Sequence, residues 1–249
     1  MGKKGYDTVV KPDGDWLKRV RALKASWFYS WGGDTPPGMP HGLEFVPMAW
    51  GYYGDGSRDW IRKHFPPISN PKSAAPLLAF NEPDGKDQAN LSVGKALDAW
   101  PVLMETGRRL GSPAAVHADG PWMREFMSEA KRRKYRVDFV TVHSYRGPNV
   151  NGTMGYYEKI HQMYDLPLWI TEFAVADWNA TTPETNLFTA AQVQDFMRGI
   201  LPALEQARFV ERYAWFSFDQ KDAAGSPSAL FDAKGDLTPL GRIYAEFRG

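Results

Sequence analysis

The sequence predicts a compact (β/α)8 barrel, a TIM-type α/β fold in a single domain over residues 1–249. Three observations predict it. The 23 Gly and 19 Pro are spread along the 249 residues rather than gathered, so no linker divides the chain. Short apolar runs rich in Val, Ile, Phe, Tyr and Trp alternate with longer amphipathic runs, roughly eight times over. The short runs are apolar on both faces, as in a parallel sheet covered by helices. A doubly wound open sheet would show a Gly-rich nucleotide turn after its first strand. Here the first run ends in Trp31-Gly32-Gly33-Asp34-Thr35-Pro36-Pro37, which does not open a helix cleanly.

The elements follow in chain order. Asp15–Leu23 reads as a helix and Ala25–Trp31 as the first strand. Glu44–Trp50 is a strand, Arg58–His64 a helix, Pro76–Phe80 a strand, and Leu91–Leu110 a long helix. Strand Ala114–His117 leads to a helix opening at Pro121, a favoured first-turn position, that buries Trp122, Phe126 and Met127. Val137–Ser144 and Leu168–Phe173 are strands around a helix at Gly155–Met163. Thr189–Ala207 is the clearest helix: Val193, Phe196, Met197, Ile200, Leu201 and Leu204 form a buried stripe. Thr189 and Gln192 have capping-box spacing at its start, and Pro202 is expected to kink or end it. Strand Arg212–Phe218 and a weaker one at Ser228–Phe231 complete the set. Thr238-Pro239 opens a last helix carrying Leu240, Ile243, Tyr244 and Phe247.

Composition excludes several classes of function. Zero Cys removes disulfide frameworks, thiolate zinc sites, iron–sulfur clusters and a Cys nucleophile. Lys+Arg and Asp+Glu stand at 30 and 29, leaving no electrostatic footprint for nucleic acid or an anionic membrane. The longest apolar stretch, near Ala74–Phe80, is far short of a spanning helix, and no apolar region follows Met1-Gly2-Lys3-Lys4, so a soluble chain is expected. The compartment is left open. Five scattered His form no metal-ligand spacing, and Asp232-Ala233-Lys234-Gly235-Asp236 reads as a turn rather than a calcium loop. No cofactor or metal is expected, and the chain is read as a monomer.

Polar chemistry in a barrel sits at the C-terminal ends of the strands. Pro76–Phe80 runs directly into Asn81-Glu82-Pro83-Asp84, and Leu168-Trp169-Ile170-Thr171 into Glu172-Phe173. A carboxylate at the end of an apolar strand is costly unless it pairs, shifts its pKa or acts. Two of them at one barrel mouth are what glycoside hydrolysis needs, one to protonate the leaving oxygen and one to attack carbon or activate water. The catalytic candidates are therefore Glu82 and Glu172.

Their neighbours carry a resemblance. Asn81-Glu82-Pro83, then Val142-His143-Ser144-Tyr145, then Trp169-Ile170-Thr171-Glu172-Phe173, then Trp215-Phe216, in that order, resemble the motifs of the large clan of retaining (β/α)8 glycosidases. With Ser26-Trp27-Phe28-Tyr29-Ser30-Trp31, Phe45-Val46-Pro47-Met48-Ala49-Trp50-Gly51, Gly111-Ser112-Pro113-Ala114, Val210–Phe216 and Leu237-Thr238-Pro239-Leu240-Gly241, the chain is similar to glycoside hydrolase family 128, the compact endo-β-1,3-glucanases. The resemblance spans about residues 24–247. It implies a retaining endo-acting hydrolase of β-1,3-glucans such as laminarin and curdlan, with Glu82 as acid/base and Glu172 as nucleophile. It further implies that Asn81 binds the sugar 2-OH, that Tyr145 orients the nucleophile, and that His143 belongs to the site. The clan carries its acid/base on strand four and its nucleophile on strand seven. The strands read from this sequence place them on three and six, so the chain either has a further early strand or has lost one. The same motifs fit a β-1,4-glucanase, mannanase or xylanase, and a non-catalytic glucan-binding protein is the reading from another class.

Ten Trp residues take meaning from this reading, because the C–H face of a sugar packs on an aromatic ring. Trp27, Trp31, Trp50 and Trp215 fall near strand ends and Trp122 just after one, so they are the candidate platforms. By analogy with the clan, Trp215 leads. Trp16, Trp60 and Trp100 lie in helices and are assigned to the core. Trp178 lies in the loop after the Glu172 strand, where it can line a subsite.

Overall fold

The computed structural model describes residues 2–11, 14–54, 56–69 and 74–248. Nine strands and seven α-helices are found among them. In chain order these are β1 (Lys4–Asp7), α1 (Asp15–Ala22), β2 (Trp27–Tyr29), β3 (Glu44–Phe45), β4 (Met48–Ala49), α2 (Gly56–His64), β5 (Leu77–Asn81) and α3 (Val93–Glu105). Then follow β6 (Leu110–Ala114), α4 (Pro121–Arg132), β7 (Val140–Arg146), α5 (Val150–Tyr164), β8 (Leu168–Val175), α6 (Ala190–Gln206), β9 (Val210–Trp215) and α7 (Pro239–Glu246). The chain falls into two compact units. One comprises Met1–Phe28, Ser144–Lys159 and Ile170–Gly249, and the other Tyr29–His143 and Ile160–Trp169.

In the first unit the strand order is β2-β1-β9-β8-β7. β1 was not expected from the sequence, since Lys4-Gly5-Tyr6-Asp7 holds no apolar run. It pairs in parallel with β9, Lys4 opposite Tyr213 and Tyr6 opposite Trp215. Each residue has a specific reason to be there. Lys4 Nζ donates to the carbonyls of Tyr244 (2.8 Å) and Phe247 (2.7 Å), satisfying the end of α7. Gly5 lies under the Trp27 ring, where a Cβ would come within 2.2 Å of Cε2. Tyr6 packs on Phe231. Lys3 Nζ donates to the carbonyls of Leu204, Glu205 and Ala207 at the end of α6.

Helix α6 starts at the expected capping box, Gln192 N donating to Thr189 Oγ1 and Thr189 N to Gln192 Oε1. The six stripe residues are its buried face. Pro202 sits inside α6 without ending it. Ser228–Phe231 is not a strand: a 3₁₀ turn covers Ser226–Ser228, and Phe231 makes only an isolated antiparallel bridge with Leu237.

In the second unit β4, β5 and β6 pair in parallel, Ala49 opposite Ala79 and Asn81 opposite Ala114. The predicted strand at 114–117 lies earlier, at Leu110–Ala114, and the helix predicted to reach Leu110 ends at Glu105. Leu110-Gly111-Ser112-Pro113-Ala114 reads as a helix tail and loop, yet the small residues are what fit. A Cβ on Gly111 would meet the Phe139 ring at 2.6 Å. α3, α4 and β5 bury a common cluster in which Trp100 meets Phe126 edge-on at 4.9 Å.

β3 and β4 are two pieces of one run, interrupted at Val46-Pro47, where Pro47 has no N–H to donate. Counting them as one, β1 restores eight strands. Asn81 then closes the fourth and Glu172 lies in the seventh, which removes the discrepancy in strand number.

Candidate active site

Glu82 follows β5 immediately, and the backbone around it is tightly specified. Phe80 and Glu82 both take left-handed conformations, φ +38° and +41°, unusual for side-chain-bearing residues and typical of functional sites. Glu82 N donates to Ala114 O (2.8 Å) and Asn81 N to Trp50 O (2.8 Å), so the turn is tied to the neighbouring strand ends. Asp84 accepts from Val116 N (2.7 Å). Among the described residues the Glu82 carboxylate is held by buried His143, on β7, whose Nδ1 lies 2.9 Å from Oε1. Asn81 is buried and donates through Nδ2 to Gln88 Oε1 (3.1 Å). Gln88 and Asp84 escaped the sequence reading; Asp84 carried a signal, as the fourth residue of Asn-Glu-Pro-Asp.

Glu172 lies within β8, 4% exposed, and Oε2 accepts the Tyr145 hydroxyl. The Tyr145 ring is set by three others: Trp178 and Phe216 meet it edge-on at 5.3 Å each, and Phe218 at 5.8 Å. Asp7, at the end of β1, shares this neighbourhood. Burial pushes its carboxyl well above the usual range, the Glu172 charge pushes the same way, and hydrogen bonds from Ser217 oppose both. Phe173, next to Glu172, faces the other way and packs edge-on against Trp215 at 5.0 Å.

The structure sorts the candidate platforms. Trp215 is fully buried between Phe173 and Phe196 of α6, with Nε1 donating to Ser228 O. It belongs to the helix-facing side of the sheet and leaves no ring face for a sugar. Strand alternation gives the opposite side to Phe216. Trp27 is fully buried over Gly5, Nε1 donating to Lys3 O. Trp122 stacks on Phe126 and donates to Leu91 O, so it closes the cluster beneath α4. These three positions are near strand ends in sequence but are structural. Trp31 and Trp50, by contrast, line one cavity of about 480 Å³ together with Met48, Tyr53, Ser57 and Trp60. Trp60, assigned to the core by its helix, is 40% exposed and stacks on His64 at 4.2 Å. Trp16 and Trp100 are core residues as expected. Trp178 is 64% exposed on its loop and touches Tyr145. That loop is held by Asp177, whose carboxylate accepts from Asn179 N and Leu187 N.

Residues 6–244 match the glycosyl hydrolase catalytic core family. A subgroup I endo-β-1,3-glucanase of glycoside hydrolase family 128 from Amycolatopsis mediterranei, crystallised with laminarihexaose, is 35% identical, with 98% of each chain covered and a TM-score of 0.79. The chain belongs to glycoside hydrolase family 128. A subgroup II member of family 128 from Sorangium cellulosum is 26% identical over 98% of each chain, with a TM-score of 0.77. Alkali-sensitive linkage protein 1 of Schizosaccharomyces pombe is 28% identical over 98% of this chain. The chain spans 44% of that protein's length. The α/β barrel expected from the strand and helix alternation is the fold of this glycoside hydrolase family.

Proposed function

We propose that the protein hydrolyses β-1,3-glucans within the chain and with retention of anomeric configuration. Glu82 gives its proton to the departing glycosidic oxygen while Glu172 attacks the anomeric carbon. Glu82 then takes a proton from the water that releases the glycosyl-enzyme. His143 keeps the Glu82 carboxyl aimed. The Tyr145 hydroxyl orients Glu172 and shares its charge. Asn81 is held by Gln88 and presents its amide to the sugar 2-OH. The cavity lined by Trp31 and Trp50 and the open Trp178 ring supply surfaces on which glucosyl rings stack. The near-neutral charge balance suits a neutral polymer.

One observation carries the reading. At 35% identity over nearly all of both chains, the relative crystallised with laminarihexaose is an endo-β-1,3-glucanase, and in this chain each of the two glutamates has its own orienting partner. Purified protein should release a ladder of oligosaccharides from laminarin and curdlan. The newly formed reducing ends, followed by NMR, should appear first in the β configuration. Glu172→Gln and Glu82→Gln should each reduce turnover by at least about three orders of magnitude. Full activity in Glu172→Gln, α-configured first products, or preference for a β-1,4-linked substrate would overturn the proposal.

A further inference from the structure

Asp7 is a buried carboxyl that the double displacement does not use. It ends β1, whose Tyr6 packs on Phe231 on the helix-facing side opposite Trp215. Alternation gives Asp7 the other side, which the ring contacts assign to Phe216 and Glu172. Asp7 has no exposed surface, and Oδ1 accepts the Ser217 N–H at 2.8 Å. Ser217 is the middle residue of Phe216-Ser217-Phe218, a turn closed by Phe218 N donating to Phe216 O. The two outer residues press their rings on Tyr145 at 5.3 and 5.8 Å and meet each other at 4.7 Å. Tyr145 in turn holds Glu172.

We propose that Asp7 is a positioning residue for the nucleophile: by clamping the Ser217 amide it fixes the Phe216–Phe218 turn, whose rings seat Tyr145, whose hydroxyl orients Glu172. A carboxyl is suited to the place. Ser217 is half-buried, and no other atom takes its N–H among the described residues. The titratable and polar groups coupled to Asp7 are Glu172 on β8, Tyr244 on α7, Tyr6 on its own strand and Ser217 beyond β9. Burial and the Glu172 charge both favour a protonated Asp7, so the clamp adds no second negative charge beside the nucleophile.

The inference rests on Glu172 being the nucleophile, and the experiment separates the two. Asp7→Leu removes the acceptor and Asp7→Asn keeps it. On laminarin, Asp7→Leu should lose about 10- to 100-fold in kcat with KM within about threefold, and Asp7→Asn should recover most of the loss. The acid limb of the kcat/KM profile should hold its position in Asp7→Asn. In a Tyr145→Phe background, where the relay is already broken, Asp7→Leu should cost less than about threefold. Equal losses in the Leu and Asn variants would overturn the proposal, as would a Leu effect undiminished by Tyr145→Phe. An acid limb displaced downward by one pH unit or more in Asp7→Asn would do the same, since it would reveal an ionised Asp7. Melting curves confirm that only folded protein is compared. If Asp7→Leu precludes folding, Asp7→Ala takes its place in both backgrounds, and a kcat within about threefold of wild type in Asp7→Ala would overturn the proposal. Should Glu172→Gln itself stay active, the reading of the nucleophile fails, whatever the Asp7 variants do.

Discussion

Asp7→Asn should stabilise the protein increasingly as the pH rises. The folded chain keeps Asp7 protonated because burial, reinforced by Glu172, raises its pKa well above 3.8. The unfolded chain ionises it near the ordinary aspartate value of about 3.9. Above pH 4 the folded state therefore binds more protons than the unfolded state at this residue, and by linkage stability falls as the pH rises. The slope is about 1.4 kcal/mol per pH unit, and it ends where the folded carboxyl itself ionises. Asparagine does not titrate and is free of this term, while its Oδ1 still accepts from Ser217. Whatever constant offset the amide brings is the same at every pH. For a chain of this size each unit of pH should widen the melting gap between variant and wild type by roughly 3–5 °C, up to a plateau. Calorimetry in half-unit steps from pH 4 upward reads the slope, and the plateau reads the folded pKa. A gap that stays flat from pH 4 would refute the reasoning, because it would mean that Asp7 ionises alike in both states.

Tyr145→Phe keeps the ring contacts and removes one hydrogen bond to a charged group, so kcat/KM on laminarin should fall about 10- to 150-fold; a loss under threefold would show that Tyr145 does not orient Glu172. Lys4, pushed down to about 8 by burial and then by the Lys24 charge, binds fewer protons folded than unfolded between pH 8 and 10.5. Stability should rise over that window, as followed by denaturant titration. Tyr6, Tyr157, Tyr213 and Tyr244 are held above the ordinary phenol value by burial, so the unfolded chain ionises first and stability should fall above pH 10. Gly5→Ala drives a Cβ to 2.2 Å from Trp27 and should cost about 1–3 kcal/mol or more, seen as a lowered denaturation midpoint.

The two glutamates were legible because an apolar run ending in a carboxylate is chemically conspicuous. The capped helices were legible because Thr189, Gln192, Pro121 and Thr238 mark their starts by local hydrogen bonding and backbone geometry. β1 was not legible: Lys, Gly, Tyr and Asp are each chosen by a distant partner, and none is apolar by pattern. β6 was misplaced for the same reason, since Gly111 is selected by Phe139 rather than by strand propensity. The tryptophans show a different limit. Position along a strand says which end a residue is near, but one step of alternation decides whether Trp215 or Phe216 faces Tyr145, and the sequence carries no mark of that phase. Trp60 erred in the opposite sense, because a helix also has an outer face.

The pairing of Lys4 with Tyr213 has a consequence for synthesis. A ribosome adding about 5–20 residues per second takes roughly 10–40 s to reach the partner of β1. Through that interval the strand has an open edge on its β9 side, while most of the second unit is contiguous in sequence and already available to collapse. Lys3 and Lys4 are ammonium groups on that waiting segment, and charge on an open edge discourages pairing with other nascent chains. Once α6 and α7 have emerged, the same two lysines donate to the carbonyls that close those helices. The charges that guard the early strand thus become the donors that fasten it to α6 and α7.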